Sequence, residues 1–171
     1  PESWRFKVDP DNQGLEGQWF DRTIDDSQWA SLRTDQNTGW DKQGFAEHAV
    51  GYGWYRTRLP LAEQDLAKHH KYLYFEAVDE DAWVYVNGQQ VFDHTVDSTG
   101  MEVSEIWMTP FGVPLTGAVL QGGDLLAVRV YNRVSMGGIW KPVHLILSDQ
   151  ELSNEQIHAF MKLRQRRSDT E

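Results

Sequence analysis

The chain reads most clearly between Tyr72 and His94, where apolar and polar positions alternate with a period of two. Leu73, Phe75 and Ala77 fall on one side, with Tyr72, Tyr74 and Glu76 on the other, as in a strand laid against a core. Asp79-Glu80-Asp81 interrupts the pattern as a polar turn. Ala82, Val84 and Val86 resume it opposite Trp83 and Tyr85, and Asn87-Gly88 separates that run from Gln90-Val91-Phe92. Asn-Gly between two alternating runs predicts a hairpin with a type I′ turn, which needs positive φ at both central residues. The segment is expected to form three consecutive antiparallel strands.

The same alternation recurs along the chain. Trp4, Phe6 and Val8 oppose Arg5 and Lys7, and a turn cluster follows from Asp9 to Gly14. That cluster partly resembles a calcium loop, but Phe20 stands where a bidentate Glu is required, so a turn is the reading. Asp26-Ser27 is expected to cap a single helical turn carrying Trp29 inward. Residues 33–50 read as a long loop around Gly39-Trp40-Asp41-Lys42-Gln43-Gly44. A strand from Gly53 to Leu59 ends at Pro60, and a polar connector runs from Leu61 to His70. Thr95 to Gly100 is a loop. Ile106 and Met108 alternate in a short run closed by Pro110-Phe111, and Val113 to Leu120 is expected to be a short helix stopped by Gly122-Gly123. Strands follow over Asp124–Tyr131 and Ile139–Leu147, separated by a loop from Asn132 to Gly138. Ser153-Asn154-Glu155-Gln156 is a capping box, and Ile157, Phe160, Met161 and Arg164 then share one helical face. The tail, RQRRSDTE, is charged and expected to fray.

Roughly eight or nine short strands with almost no helix before the tail predict an all-β fold, an antiparallel β-sandwich of jelly-roll form with a short C-terminal helix. Residues 1–149 form the sandwich, and 150–171 the helix and charged tail.

Composition changes this picture in a few places. The chain has 171 residues, enough for a core without staples, and eight Trp, so several indoles are left for half-exposed work. Trp4, Trp54 and Trp83 sit on strands and read as core. With 16 Lys plus Arg against 26 Asp plus Glu the net charge is −10, which argues against a nucleic-acid partner. There is no Cys, so disulfides, thiolate metal sites and cysteine nucleophiles are excluded. No run is long and apolar enough to span a membrane as a helix. The start at Pro1 is expected to reflect release from a signal peptide or a longer polypeptide. A periplasmic or extracellular location is favoured over a cytoplasmic one.

The order of several motifs resembles a known family. These are Trp4, Phe6 and Lys7 with Asp9-Pro10; Trp40-Asp41-Lys42-Gln43-Gly44; Gly53-Trp54-Tyr55-Arg56; and Phe75-Glu76-Ala77-Val78-Asp79-Glu80. Val84-Tyr85-Val86-Asn87-Gly88, Pro110-Phe111, Leu126-Ala127-Val128-Arg129-Val130 and Gly137-Gly138-Ile139-Trp140-Lys141-Pro142-Val143 complete the set. Together they are similar to the N-terminal sugar-binding domain of glycoside hydrolase family 2, the β-galactosidases, β-glucuronidases and β-mannosidases. The resemblance implies a galactose-binding-domain-like jelly roll without catalytic residues, with catalysis left to a (β/α)8 barrel elsewhere in the polypeptide. It also implies that the loop before Gly137-Gly138-Ile139 carries a polar side chain toward the sugar. Asn132 is the nearest match, where the family often has an acid. No cofactor is implied; structural calcium is common in such sandwiches, and Asp25-Asp26 is the one guess at its ligands.

A saccharide needs a flat apolar surface and planar polar groups. Trp40 and Trp107 are the candidates for the first; Asn132, Arg133, His94 and Asp97 for the second. His69, His70, His94 and His144 read as structural histidines, and Glu76, Asp79, Glu80 and Asp81 as a turn cluster facing solvent. The function expected is a non-catalytic carbohydrate-binding domain, its partner a β-galactoside- or β-glucuronide-type glycan. One alternative is a structural or interaction module that positions or dimerises a larger glycosidase, with self-association through the C-terminal helix. Another is a small stand-alone sandwich hydrolase.

Overall fold

The computed structural model describes residues 2–168; the last residues of the charged tail lie outside the described residues. Strands are β1 (Ser3–Asp9), β2 (Ala30–Arg33), β3 (Gly51–Arg58), β4 (His70–Phe75), β5 (Val78–Asp79), β6 (Asp81–Val86), β7 (Gln89–His94), β8 (Phe111–Pro114), β9 (Leu125–Asn132), β10 (Gly138–Ile139) and β11 (Val143–Ser148). Helices are the single turns α1 (Glu63–Leu66), α2 (Val96–Thr99) and α3 (Val103–Ile106), and the longer α4 (Asn154–Ser168). No helix among them is long and apolar enough to cross a membrane.

A six-stranded sheet in the order β2-β1-β3-β9-β6-β7 faces a three-stranded sheet β11-β4-β8, with a two-stranded β10-β5 ladder beside them. All pairings are antiparallel. Trp4, Phe6, Tyr55, Val84 and Val128 from the first sheet meet Leu73, Phe75, Val113 and Val143 from the second in one core. This is the expected all-β sandwich, because alternating residues of both sheets bury one face each.

The Asn87-Gly88 turn forms as predicted, with φ of 51° and 89°. Asn87 adds more than turn chemistry. Its amide donates to Asp124 at 2.8 Å and its oxygen accepts from the Leu125 N–H at 2.9 Å, which ties the hairpin to β9. The Asp9 cluster is likewise a turn: its carboxylate accepts from the Gln13 and Gly14 N–H groups and from the Trp54 indole.

Several expectations fail. The strand at 72–77 does not pair with the one that follows; β4 lies in the other sheet, between β11 and β8. A period of two fixes which face a residue takes, not which strand it pairs with. The run at Ile106–Met108 is no strand but the end of the helical turn α3 and the turn after it, and Val113 begins no helix but lies in β8. Thr95 caps a helical turn, α2, where a loop was expected: its hydroxyl accepts from the Ser98 N–H at 3.0 Å. The stretch 40–48 contains two short 3-10 helices rather than only loop.

β4 is buried on both faces. Tyr72 and Tyr74 point away from the main core and are covered, with Ile146, by Ile157 and Met161 of α4. The helix therefore packs on its own sandwich, with Phe160 of the predicted face left 51% exposed. Ile157→Ala is expected to cost about 2–4 kcal/mol, read as a lower urea midpoint at unchanged sedimentation mass. A loss below about 0.5 kcal/mol, the range of an ordinary surface change, would show that the helix is dispensable to the fold.

Candidate functional site

β6 begins, and β7 and β9 end, at one end of the six-stranded sheet, where the Asn132–Gly137 loop leaves β9. Arg133 fixes that loop. Its guanidinium donates to Glu80 at 3.1 Å and to Asp81 at 2.7 Å, and its backbone N–H donates to the same Glu80 carboxylate at 3.1 Å. The second Asp81 oxygen accepts from the Val96 N–H at 2.8 Å, so one carboxylate joins the loop to α2. These two acids hold the Arg133 charge on, by hydrogen bonds and Coulomb attraction. The acidic turn thus does not face solvent as expected: Glu80 and Asp81 are buried. Paired charges tolerate burial where lone ones do not. Glu76 also has a partner, His144 at 2.7 Å, and that hydrogen bond lowers its pKa. Asp79 has none of this help. Burial first, then Glu80 and Asp41, push its pKa up to about 7.

The candidate residues gather around this end but play different parts from those expected. Trp40 is fully buried, against Phe6 and Tyr55, and its indole N–H donates to the His48 carbonyl at 2.9 Å. It is a core anchor, not a stacking surface; its backbone N–H donates to the Gly137 carbonyl at 2.9 Å and so pins the far end of the loop. Asn132 is also fully buried, its amide donating to the Ala49 carbonyl, so it cannot reach a sugar from this position. Gly137 packs so closely on it that a Cβ there would lie 2.6 Å from the Asn132 amide nitrogen. Gly138, at φ 104°, sits against the Tyr55 hydroxyl. The two glycines are what allow the loop to return this tightly.

His94 is 4% exposed and stacked on Phe111 with centroids 4.1 Å apart. Burial pushes its pKa down to about 4, against the pull of Asp81 and Asp93, so it is neutral at pH 7. It too is structural. Asp97 is exposed on α2. Trp107 is half-buried and stacks on Trp140 at 5.6 Å and 29°. The Trp140 indole donates to the Trp107 carbonyl at 3.1 Å, and the Lys141 ammonium lies 4.7 Å from the Trp140 ring. What this end presents to solvent is Arg133, Asp97, the Trp107–Trp140 pair and the loop crest, with Val134 59% and Met136 38% exposed.

Trp140 belongs to a motif read from the sequence but is not among the candidate binding residues. Its signal was an indole beside a lysine, two residues after the double glycine. The Asp25-Asp26 guess at a calcium site does not fit: Asp26 accepts from the Arg56 Nε at 2.7 Å and Asp25 from the Ser27 N–H at 2.9 Å. Among the described residues no group of three His, Asp or Glu side chains is placed to hold a metal.

No family model and no curated protein matches the chain. Solved structures do. A β-glucuronidase from an uncultured Clostridium species matches with a TM-score of 0.70 at 21% identity, over 88% of this chain and 28% of that one. A Bacteroides uniformis β-glucuronidase matches at 0.65 and 24%, over 85% and 17%. A Ruminococcus gnavus β-glucuronidase matches at 0.59 and 19%, over 76% and 20%. The chain spans between a sixth and somewhat more than a quarter of these proteins' length. Its fold is that of a domain of β-glucuronidases, as the resemblance to the sugar-binding domain of glycoside hydrolase family 2 implies.

Proposed function

We propose that the chain is the non-catalytic carbohydrate-binding sandwich of a β-glucuronidase-type glycosidase. It meets a β-glucuronide-type glycan at the loop end through Arg133, Asp97 and the Trp107–Trp140 pair. The observation that carries this is a half-exposed indole pair and a clamped guanidinium at one end of a fold that solved β-glucuronidases contain. Indole faces take the C–H face of a pyranose, and the guanidinium donates to hydroxyls or a carboxylate. Glu80 and Asp81 are both engaged by Arg133, which counts against a stand-alone hydrolase using them as an acid pair. Bond cleavage belongs to a catalytic barrel carried by the same polypeptide.

The test uses the purified chain. It is expected to release no nitrophenol from nitrophenyl β-D-glucuronide. A glucuronide-terminated glycan is expected to quench Trp emission with roughly millimolar affinity, and Trp107→Ala to abolish the quenching. Turnover above the buffer blank, or an emission signal indifferent to Trp107→Ala, would sink the reading.

The exposed Val134 and Met136 favour a second reading, in which the loop crest seats the sandwich against the body of the glycosidase. Met136→Asp is then expected to weaken association with the catalytic part and leave the quenching unchanged.

A further inference from the structure

The outer face of the six-stranded sheet carries a second polar site, at the opposite end of β9 from the loop. Arg5 on β1 pairs in register with Arg56 on β3, and Arg58 follows two residues later on the same face. The three line a groove of about 380 Å³, with Asp26 as its one acid and the Ser3 and Ser31 hydroxyls on its rim. In a chain of net charge −10, three guanidinium groups facing one carboxylate make a local reversal of sign.

The three arginines are not equivalent. Arg56 is buried and donates to Asp26 and to the carbonyls of Trp19, Asp21 and Ile24, so with Asp26 it forms a neutral pair and the groove's excess positive charge comes from Arg5 and Arg58. Arg5 and Arg58 are exposed, and each gives one hydrogen bond, to the Trp29 carbonyl at 3.3 Å and the Gly123 carbonyl at 3.0 Å. Neither forms an ion pair among the described residues. Their remaining N–H groups border the groove as forks that match a carboxylate in two-point contact. The Ser3 and Ser31 hydroxyls, 3.1 Å apart, can each turn to a ligand hydroxyl. The volume lies in the range of small-ligand sites.

We propose that this groove binds a carboxylate-bearing saccharide unit, a uronic acid residue of a glycan, independently of the loop end. The saccharide part rests on the carbohydrate reading above; the anionic part does not. Leu125, at the start of β9, lines the groove, and Asn132 ends the same strand, so the two sites lie roughly 20 Å apart. They can therefore be told apart residue by residue.

The experiment is amide chemical-shift mapping of the whole chain at low ionic strength, titrated with sodium D-glucuronate, D-glucose or sodium acetate. Glucuronate is expected to move the Ser3, Arg5, Ser31 and Arg58 resonances with roughly millimolar affinity, while glucose does not and acetate does so at least tenfold more weakly. Arg58→Gln keeps the fold, since its one hydrogen bond is to a surface carbonyl, and is expected to weaken the titration about tenfold. About 0.5 M salt is expected to do the same. Groove resonances that stay still, or that respond equally to glucose or acetate, overturn the proposal. Shifts confined to Trp107 and Arg133 remove the groove and keep the loop-end reading; shifts confined to the groove remove the loop-end reading and keep this one.

Discussion

Arg56→Met is expected to lose about 3–5 kcal/mol of stability, a large part of the margin of a single domain. Arg56 stands on the outer face of β3 with its side chain 2% exposed. Its guanidinium donates to the Asp26 carboxylate at 2.7 Å and to the carbonyls of Trp19, Asp21 and Ile24 at 2.6, 2.9 and 3.2 Å. It is thus the pin that holds an irregular segment against the sheet. Trp19, Phe20, Ile24 and Trp29 of that segment cover Trp54 and Tyr85 in a second apolar layer. Methionine fills much of the volume and leaves the Asp26 carboxylate and the Trp19 and Ile24 carbonyls without the donor they have here, and the Asp21 carbonyl with only the Ile24 N–H at 3.3 Å. Residues 19–26 are therefore expected to loosen first, with faster amide exchange there and red-shifted Trp emission in native buffer. Arg56→Lys restores only a fraction, because one ammonium cannot reach four acceptors spread around a planar fork. A change in urea midpoint worth less than about 1 kcal/mol would mean that the indole layer, not the guanidinium, holds the segment.

The sandwich was legible because its signals are local. Alternation at Trp4–Val8 and Leu126–Val130 and the Asn87-Gly88 pair each depend on a few neighbouring residues. The pairing of β4 with β11 and β8 was not legible, since Leu73 meets Leu145 and Val113 far along the chain. The site divides in the same way. That a loop leaves the strand after Asn132 could be read from the sequence. The parts played by Trp40 and Asn132 could not, because their burial is set by Phe6 and by the Ala49 carbonyl, remote in sequence. The acids at 79–81 looked like a solvated turn because the cation that draws two of them inward lies 53 residues further on for Glu80 and 52 for Asp81. Charge balance in a core is a property of contacts, and composition does not report it.

Two groups near the loop end are expected to give the protein a pH response that cancels in the wild type and emerges when either is removed. Asp79 is raised from 3.8 to about 7, chiefly by burial, so the folded state holds its proton more tightly than the unfolded state. Its contribution is intact below about pH 4 and is lost as pH rises toward 7. His94 is lowered from 6.5 to about 4, again chiefly by burial. Its contribution is intact above about pH 6.5 and is lost as pH falls toward 4. Between about pH 4 and 6.5 the two slopes are opposite and of similar size, at most about 1.4 kcal/mol per pH unit each. Asp79→Asn leaves the His94 slope alone, so stability should climb with pH across that window. At pH 8 the variant should exceed the wild type by about 2 kcal/mol, discounted from the full shift because Asp79 is only partly buried. The difference should vanish near pH 4. His94→Gln carries a fixed packing cost on Phe111 and should instead lose stability steadily from pH 4 to 7. Urea midpoints at pH 4.5, 6 and 8 for the three proteins decide the matter. Differences from wild type that do not change with pH would show that neither group titrates differently in the folded and unfolded chains.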